Sequence, residues 1–169
     1  MANNVEFTDN TVRVLEAMDA AIIAYLHEAG GELEGATKRN SRPGKYGRHD
    51  VKNSWQYRVD EAEKVATIGS PLEASYWEEL GTGEHALNND GRKGWWVYVE
   101  GNDTPRSNQK YYTEDEAIKT AAYLRNEKGL DAHATNGTEA HRPLHRAFTA
   151  KKGKLIKRLG SILGEKFNE

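Results

Sequence analysis

The sequence predicts an α+β fold: a small antiparallel sheet packed by a long N-terminal helix, a short central helix and a C-terminal helix, with a β-β-α-β insert. Three observations carry this. Apolar residues near both ends of the chain recur at spacings of three and four, which marks helices. Short segments between them alternate in polarity, which marks strands. Residues 94–135 then read β, β, α, β, a small layer of helix on sheet. The 169 residues are read as one domain, 1–169, with an inserted subregion at 84–140, and the length suffices for a genuine core.

The first helix runs from about Asp9 to Ala29. Leu15, Met18, Ile22, Tyr25, Leu26 and Ala29 form its apolar stripe, while Arg13, Glu16, Asp19 and Glu28 take the other side. The Gly30-Gly31 pair is expected to stop it. Such a stripe fits a helix laid across a sheet; a partner-binding helix is the alternative. Gly35 to Lys52 reads as a polar loop without regular structure, interrupted by glycines and Pro43 and carrying Lys38, Arg39, Arg42, Lys45, Arg48 and Lys52. Either it is solvated and balances the acidic first helix, or it touches phosphate or an acidic partner. A loop this long is uncommon unless it is functional or disordered; in a ring assembly it would order only on contact with a neighbour.

Ser54 to Asp60 alternates, with Trp55, Tyr57 and Val59 on one side, and Val65 to Gly69 is a second strand across a turn at Glu61-Ala62-Glu63. The central helix follows in S-P-L-E-A-S-Y-W-E-E-L-G-T-G, Ser70 to Gly83. Ser70 and Glu73 have the spacing of a capping box, and Pro71 suits the first helical position. Gly81 suits the left-handed conformation that closes a helix. Leu72, Tyr76, Trp77 and Leu80 make one large apolar face, so this short helix is expected to be buried.

Glu84 to Lys93 is a polar linker. Trp95 to Glu100 is strongly β, with Trp95, Val97 and Val99 on one face and Trp96 and Tyr98 on the other. Either the strand is buried on both faces or one face meets another protein. Tyr111-Tyr112 is a candidate partner strand. Thr113 with Glu116 opens a capped helix that Gly129 ends, and Leu130 to Ala134 returns as a strand. A long C-terminal helix starts near Pro143. Its apolar positions include Leu144, Ala147, Phe148, Leu155, Leu159, Ile162, Leu163 and Phe167, and Gly153, Gly160 and Gly164 weaken it. Arg142, Arg146, Lys151, Lys152, Lys154, Lys157 and Arg158 make its first half the densest positive run in the chain. That run is either a solvated face or a contact with DNA or an acidic neighbouring subunit.

Charged residues make up 30% of the chain and the net charge is −2, so overall charge makes no case for nucleic acid. The absence of cysteine excludes disulfides and thiolate metal sites and fits a reducing cytoplasm. No signal peptide or membrane span is read, so a soluble product is expected. The sequence shows no nucleophile motif, phosphate loop or dinucleotide fingerprint, and Gly81-Thr82-Gly83 reads as a helix stop. His141 and His145 are separated by Pro143 and lack a further ligand, and His85 and His133 are isolated, so no metal and no cofactor are expected. Glu78 and Glu79 diverge on a helix and cannot form a facing pair; Glu78 is assigned to a cap, a salt bridge or a subunit contact. Trp95 and Trp96 read as core or protein interface rather than as a platform for bases.

Y-W-E-E-L-G-T-G, preceded by G-S-P-L-E-A, resembles the core motif of the gene-product-ten-like tail components, the neck or head–tail joining proteins of long-tailed bacteriophages. Y-G-R-H-D-V-K-N-S-W upstream and A-H-R-P-L-H-R-A-F downstream are similar to two further segments of that family, in the same order; Leu144 replaces the aromatic residue that usually follows the proline. The matching positions are Ser54, Trp55, Tyr76, Trp77, Glu78, Gly81, Thr82, Gly83, Pro143, Leu144 and Ala147. The resemblance implies a non-enzymatic virion protein at the head–tail junction, assembled in the host cytoplasm as a ring of six or twelve copies. Implied partners are the connector or head-closure protein and the tail terminator or tail tube, with packaged DNA in the channel as a further candidate and no membrane. Lys38, Arg39, Arg42, Lys45, Arg48, Trp95, Trp96, Lys151, Lys152, Lys154, Lys157 and Arg158 are the candidate interface or DNA-facing residues. The alternative is a nucleic-acid-binding module that uses the basic loop 38–52 and the basic C-terminal helix.

Overall fold

The computed structural model describes residues 9–43, 50–101, 110–111 and 113–167. The fold is α+β. The elements are α1 (Thr11–Asn40), α2 (Val51–Ser54), β1 (Gln56–Asp60), β2 (Val65–Gly69), α3 (Glu73–Leu80), β3 (Trp95–Val99), β4 (Lys110–Tyr111), α4 (Glu114–Lys128), β5 (Ala132–Thr135) and α5 (Pro143–Phe167). They fall into two compact units. One joins the residues up to Pro71 with those from Leu144 onward, and the other is Leu72–Pro143.

In the first unit the β1–β2 hairpin is antiparallel, with Tyr57 opposite Ile68. The Gly30-Gly31 pair does not stop α1, which continues to Asn40. The reason is a contact: a Cβ added at Gly30 would stand 2.5 Å from Cδ2 of Tyr57. Gly30 thus lets the hairpin lie close against the helix, and the i→i−4 bonding of α1 carries the backbone through both glycines. The expected loop is correspondingly shorter. Gly35–Asn40 and Val51–Ser54 are helical, which places Lys38 and Arg39 in the last turn of α1. Lys45 and Arg48 lie outside the described residues.

The buried stripe of α1 falls in its second half, where Tyr25, Ala29, Leu33, Ala36 and Thr37 face inward while Val12 and Leu15 stay exposed. Tyr25, Ala29 and Leu33 pack with Leu155 of α5, and Ile68, Leu159 and Ile162 close the cluster. The Tyr25 hydroxyl donates to the Leu155 carbonyl at 2.7 Å. A buried relay extends the core. The Trp55 indole N–H donates to Ser41 Oγ at 2.9 Å, Ser41 Oγ donates to the Thr37 carbonyl at 3.1 Å, and Thr37 Oγ1 donates to the Leu33 carbonyl at 2.8 Å. Each polar group there is satisfied, which is the condition for burying it at little cost.

Charge clamps α1 to α5. The Glu32 carboxylate accepts from Lys151 at 2.8 Å and from Arg158 at 2.9 Å, and Arg158 also reaches Glu28 at 3.0 Å. The Lys151 hydrogen bond, then that from Arg158, holds the Glu32 carboxyl below its ordinary pKa. On α1 itself Lys38 pairs with Glu34 at 2.7 Å, and Glu34 also accepts the Tyr57 backbone N–H at 2.9 Å. Three residues of the candidate DNA-facing set are therefore engaged by carboxylates of their own unit. Lys152, Lys154 and Lys157 remain exposed.

The second unit holds a sheet in the order β4-β3-β5, antiparallel throughout, with Val97 opposite Ala134 and Tyr98 opposite His133. The capping box Thr113/Glu116 forms, and Gly129 ends α4 in the left-handed region at φ 62°. Ala117, Ala121 and Leu124 of α4 meet Val97, Val99 and Ala132; the small alanines let the helix approach the sheet. Trp95 packs beside this core, so one face of β3 is buried against α4.

Three outcomes test this packing. Gly30→Ala is expected to lower the urea unfolding free energy by about 1–2 kcal/mol, because overpacking against Tyr57 outweighs the gain in helix propensity. Gly153→Ala and Gly160→Ala, where an added Cβ meets nothing within 4 Å, should each raise it by about 1 kcal/mol. For Glu32 the folded pKa is depressed. Its stabilisation is complete above the unfolded glutamate pKa of about 4.3 and is lost as the pH falls through the lower folded value. Unfolding followed from neutral to acidic pH should therefore show an acid limb that is shallower in Glu32→Gln.

Candidate aromatic cleft

The motif helix does not start as its sequence suggests. α3 begins at Glu73 with Leu72 at the N-cap position, and no side chain caps it. The Ser70 hydroxyl lies instead 2.6 Å from that of Ser54, whose Oγ also donates to the Val51 carbonyl at 2.8 Å. The first turn is tied by Ser75, whose N–H and hydroxyl both donate to the Leu72 carbonyl, at 3.0 and 2.6 Å. The helix is not buried either. Ser75 is its buried residue, while Tyr76 is 48% and Trp77 44% exposed. With only eight residues, α3 turns one narrow face inward, and the small Ser75 occupies it.

Gly81 ends α3 with a positive φ of 76° but extended ψ, and its N–H donates to the Trp77 carbonyl at 2.8 Å. The next residues form a backbone interlock with the segment after β5. Thr82 N donates to the Thr138 carbonyl, and Glu84 N to the Asn136 carbonyl, both at 2.9 Å. Thr138 N returns a bond to Thr82 Oγ1 at 2.9 Å. A Cβ at Gly83 would collide with the Asn136 carbonyl oxygen and stand 2.6 Å from Cη2 of Trp96; one at Gly137 would collide with the Thr82 carbonyl, and one at Gly91 with that of Gly83. The G-T-G segment is therefore more than a helix stop. Its glycines let three strands of backbone meet, and Gly91 and Gly137, which the sequence reading did not single out, complete the junction.

Glu84 fastens its outer side. The carboxylate accepts the Gly94 N–H at 3.0 Å and the Asn136 amide at 3.4 Å. The Gly94 bond leads the causes that keep the Glu84 carboxyl below its ordinary pKa. Glu78 joins through its main chain, its carbonyl accepting the N–H groups of His141 at 2.8 Å and Arg142 at 3.2 Å.

This scaffold frames a cleft of about 470 Å³ lined by Tyr76, Trp77, Leu80 and Trp96, with Asp90 and Arg92 among its polar residues. Tyr76 and Trp77 meet edge to face at 5.0 Å, and the Arg92 guanidinium lies 5.2 Å from the centre of the Trp96 ring. The size suits a side-chain cluster or a small ligand. Trp96 thus leaves the α4 side of the sheet and joins the motif aromatics, whereas Trp95 belongs to the core. Of the other motif positions, Trp55 is a core residue of the first unit, Pro143 and Ala147 are buried, and Leu144 is half-buried.

His133 is not isolated. Sheet register stacks it on Tyr98 with ring centres 5.2 Å apart, and its Nε2 lies 2.8 Å from Asp131. Glu100 completes a group whose ligating atoms lie within 4.8 Å of one another. The His133–Asp131 pair accounts for two of the three, and Glu100 and Asp131 are exposed.

Comparison with protein-family models, with curated proteins and with solved structures returned no match.

Gly83 and Gly129 provide a paired test, since both have φ near +60° and differ in what surrounds them. Gly129→Ala should cost about 1 kcal/mol, the left-handed backbone penalty alone. Gly83→Ala should cost about 3 kcal/mol or more, because steric collision adds to it. Urea unfolding followed by tryptophan fluorescence reads both.

Proposed function

We propose that this chain is a structural virion protein of the phage head–tail junction. It acts in neck or tail completion by ring assembly and by docking to connector and tail proteins, without catalysis. The observation that carries the reading is the placement of the motif aromatics. Tyr76 and Trp77 stand exposed beside a backbone junction that glycines keep close, and exposed clusters of large aromatics are characteristic of protein contact surfaces. The order of the three motif segments supplies the particular setting.

Charge adds support. By sequence, the second unit carries 13 acidic and 8 basic side chains, net −5, and the remainder carries 13 acidic and 16 basic, net +3. The chain thus joins two units of opposite net charge, a pattern suited to stacking and to ring contacts. Among the described residues no helix is long and apolar enough to cross a membrane; placement in the virion belongs to the proposal.

Light scattering and electron microscopy of the purified protein, alone and mixed with virion connector components, test the reading. Rings, or density seated on the connector, are expected. A monomer that ignores the connector and binds DNA with steep salt dependence would replace it with a nucleic-acid-binding role.

A further inference from the structure

We infer that the aromatic cleft of the second unit is the seat for the outward face of α5 from a second copy of this chain; the inference rests on the assembly reading above.

The face offered by α5 has a particular relief. Helical spacing puts Thr149, Gly153, Ile156 and Gly160 along one outward line, with Lys152 and Lys157 on its two sides. Ile156 is 64% exposed. An added Cβ at Gly153 or Gly160 would meet nothing within 4 Å, so Ile156 stands as a single knob between two bare stretches of backbone. Mid-helix glycines weaken a helix, and no packing contact among the described residues calls for these two. A face of this kind allows another surface to come up to the helix backbone itself.

The cleft has the complementary character. Its walls are Tyr76, Trp77, Leu80 and Trp96, and its volume of about 470 Å³ exceeds what one isoleucine side chain fills. The knob therefore fills it only if the helix that bears it approaches closely, which the flanking glycines permit. Of the charged residues, Asp90 and Arg92 line the cleft, and Glu73, also exposed, shares the helical face of Tyr76, Trp77 and Leu80 at spacings of three, four and seven. The two carboxylates answer Lys152 and Lys157. The net charges, −5 for the unit that holds the cleft and +3 for the remainder that bears α5, have the same sense: units of like charge repel and units of opposite charge attract. The contact joins different surfaces on the two copies, so it is head-to-tail, and repetition closes it into a ring or runs it into a filament.

A charge swap tests the contact in the full-length protein. Glu73→Lys with Asp90→Lys makes a cleft variant, and Lys152→Glu with Lys157→Glu makes a helix variant; all four positions are exposed, and circular dichroism verifies folding. Wild type is expected to self-associate with concentration, less so at high salt. Each variant alone should weaken association about a hundredfold or more. A 1:1 mixture should recover it, with the two variants alternating, because each reversed surface then finds its opposite. Ile156→Ala should weaken it without changing its salt dependence. The inference is overturned if either charge variant assembles like wild type, if the mixture stays monomeric while wild type assembles, or if wild type is monomeric at every concentration. Docking on the connector is scored separately on wild type. A monomer that still docks there leaves the junction role standing without this contact, whereas one that does neither removes both.

Discussion

Backbone can lie against backbone only where no Cβ intervenes, and the second unit depends on that constraint. Thr82 and Glu84 pair with Asn136 and Thr138 across a space that a single methyl group at Gly83 or Gly137 would close. The pairing sets the direction in which the chain leaves α3. It brings Trp96 under Gly83 and opens the cleft in front of Tyr76 and Trp77. Remove the close approach and the aromatic residues persist, but they no longer share a site. The same rule operates in the first unit, where Gly30 admits the Tyr57 ring and brings the hairpin onto α1.

Electrostatics divides the basic residues into two populations. Lys38, Lys151 and Arg158 hold carboxylates of α1 and so belong to the stability of the first unit. Glu32 lies at the centre of this clamp, with its side chain only 20% exposed, where an ion pair is less screened than at an open surface. Lys152, Lys154 and Lys157, on the same helix, are exposed, and of these Lys154 still acts on the Glu32 carboxylate by its charge. A dense positive run in sequence is thus partly a structural device and partly a surface. Only the second part is available to a partner, whether that is a neighbouring subunit or DNA.

The two units also differ in how their apolar material is used. In the first, Trp55 is buried and its indole N–H is satisfied through a relay of hydroxyls. In the second, the buried core is built from valines, alanines and a leucine, while Tyr76, Trp77 and Tyr98 stay exposed. These rings lie outside the core of small residues and meet one another or His133 at the surface. That allocation, more than any single side chain, supports a protein whose work is contact with other proteins.

Local chemistry was legible in the sequence. The α+β class, the hairpin of β1 and β2, the Thr113/Glu116 cap, the Gly129 stop and the start of α5 at Pro143 all follow from patterns within a few residues, because propensity, capping and turn geometry act at that range. The failures came where a distant group competed. Gly30-Gly31 carries a helix stop signal, but Tyr57, 27 positions away, makes it a contact inside a continuing helix. Ser70 has the spacing of a cap, yet the Ser54 hydroxyl takes it. The Tyr76 and Trp77 stripe reads as buried, and the short α3 turns Ser75 inward instead. The cleft itself could not be read, because Trp96, Gly91 and Asn136–Thr138 reach it from separate parts of the chain. What lies within one turn or one strand was determined by the sequence alone; which residues meet, and which aromatics remain at the surface, was decided by tertiary packing, since only there do groups far apart in the chain compete for the same space and the same hydrogen bonds.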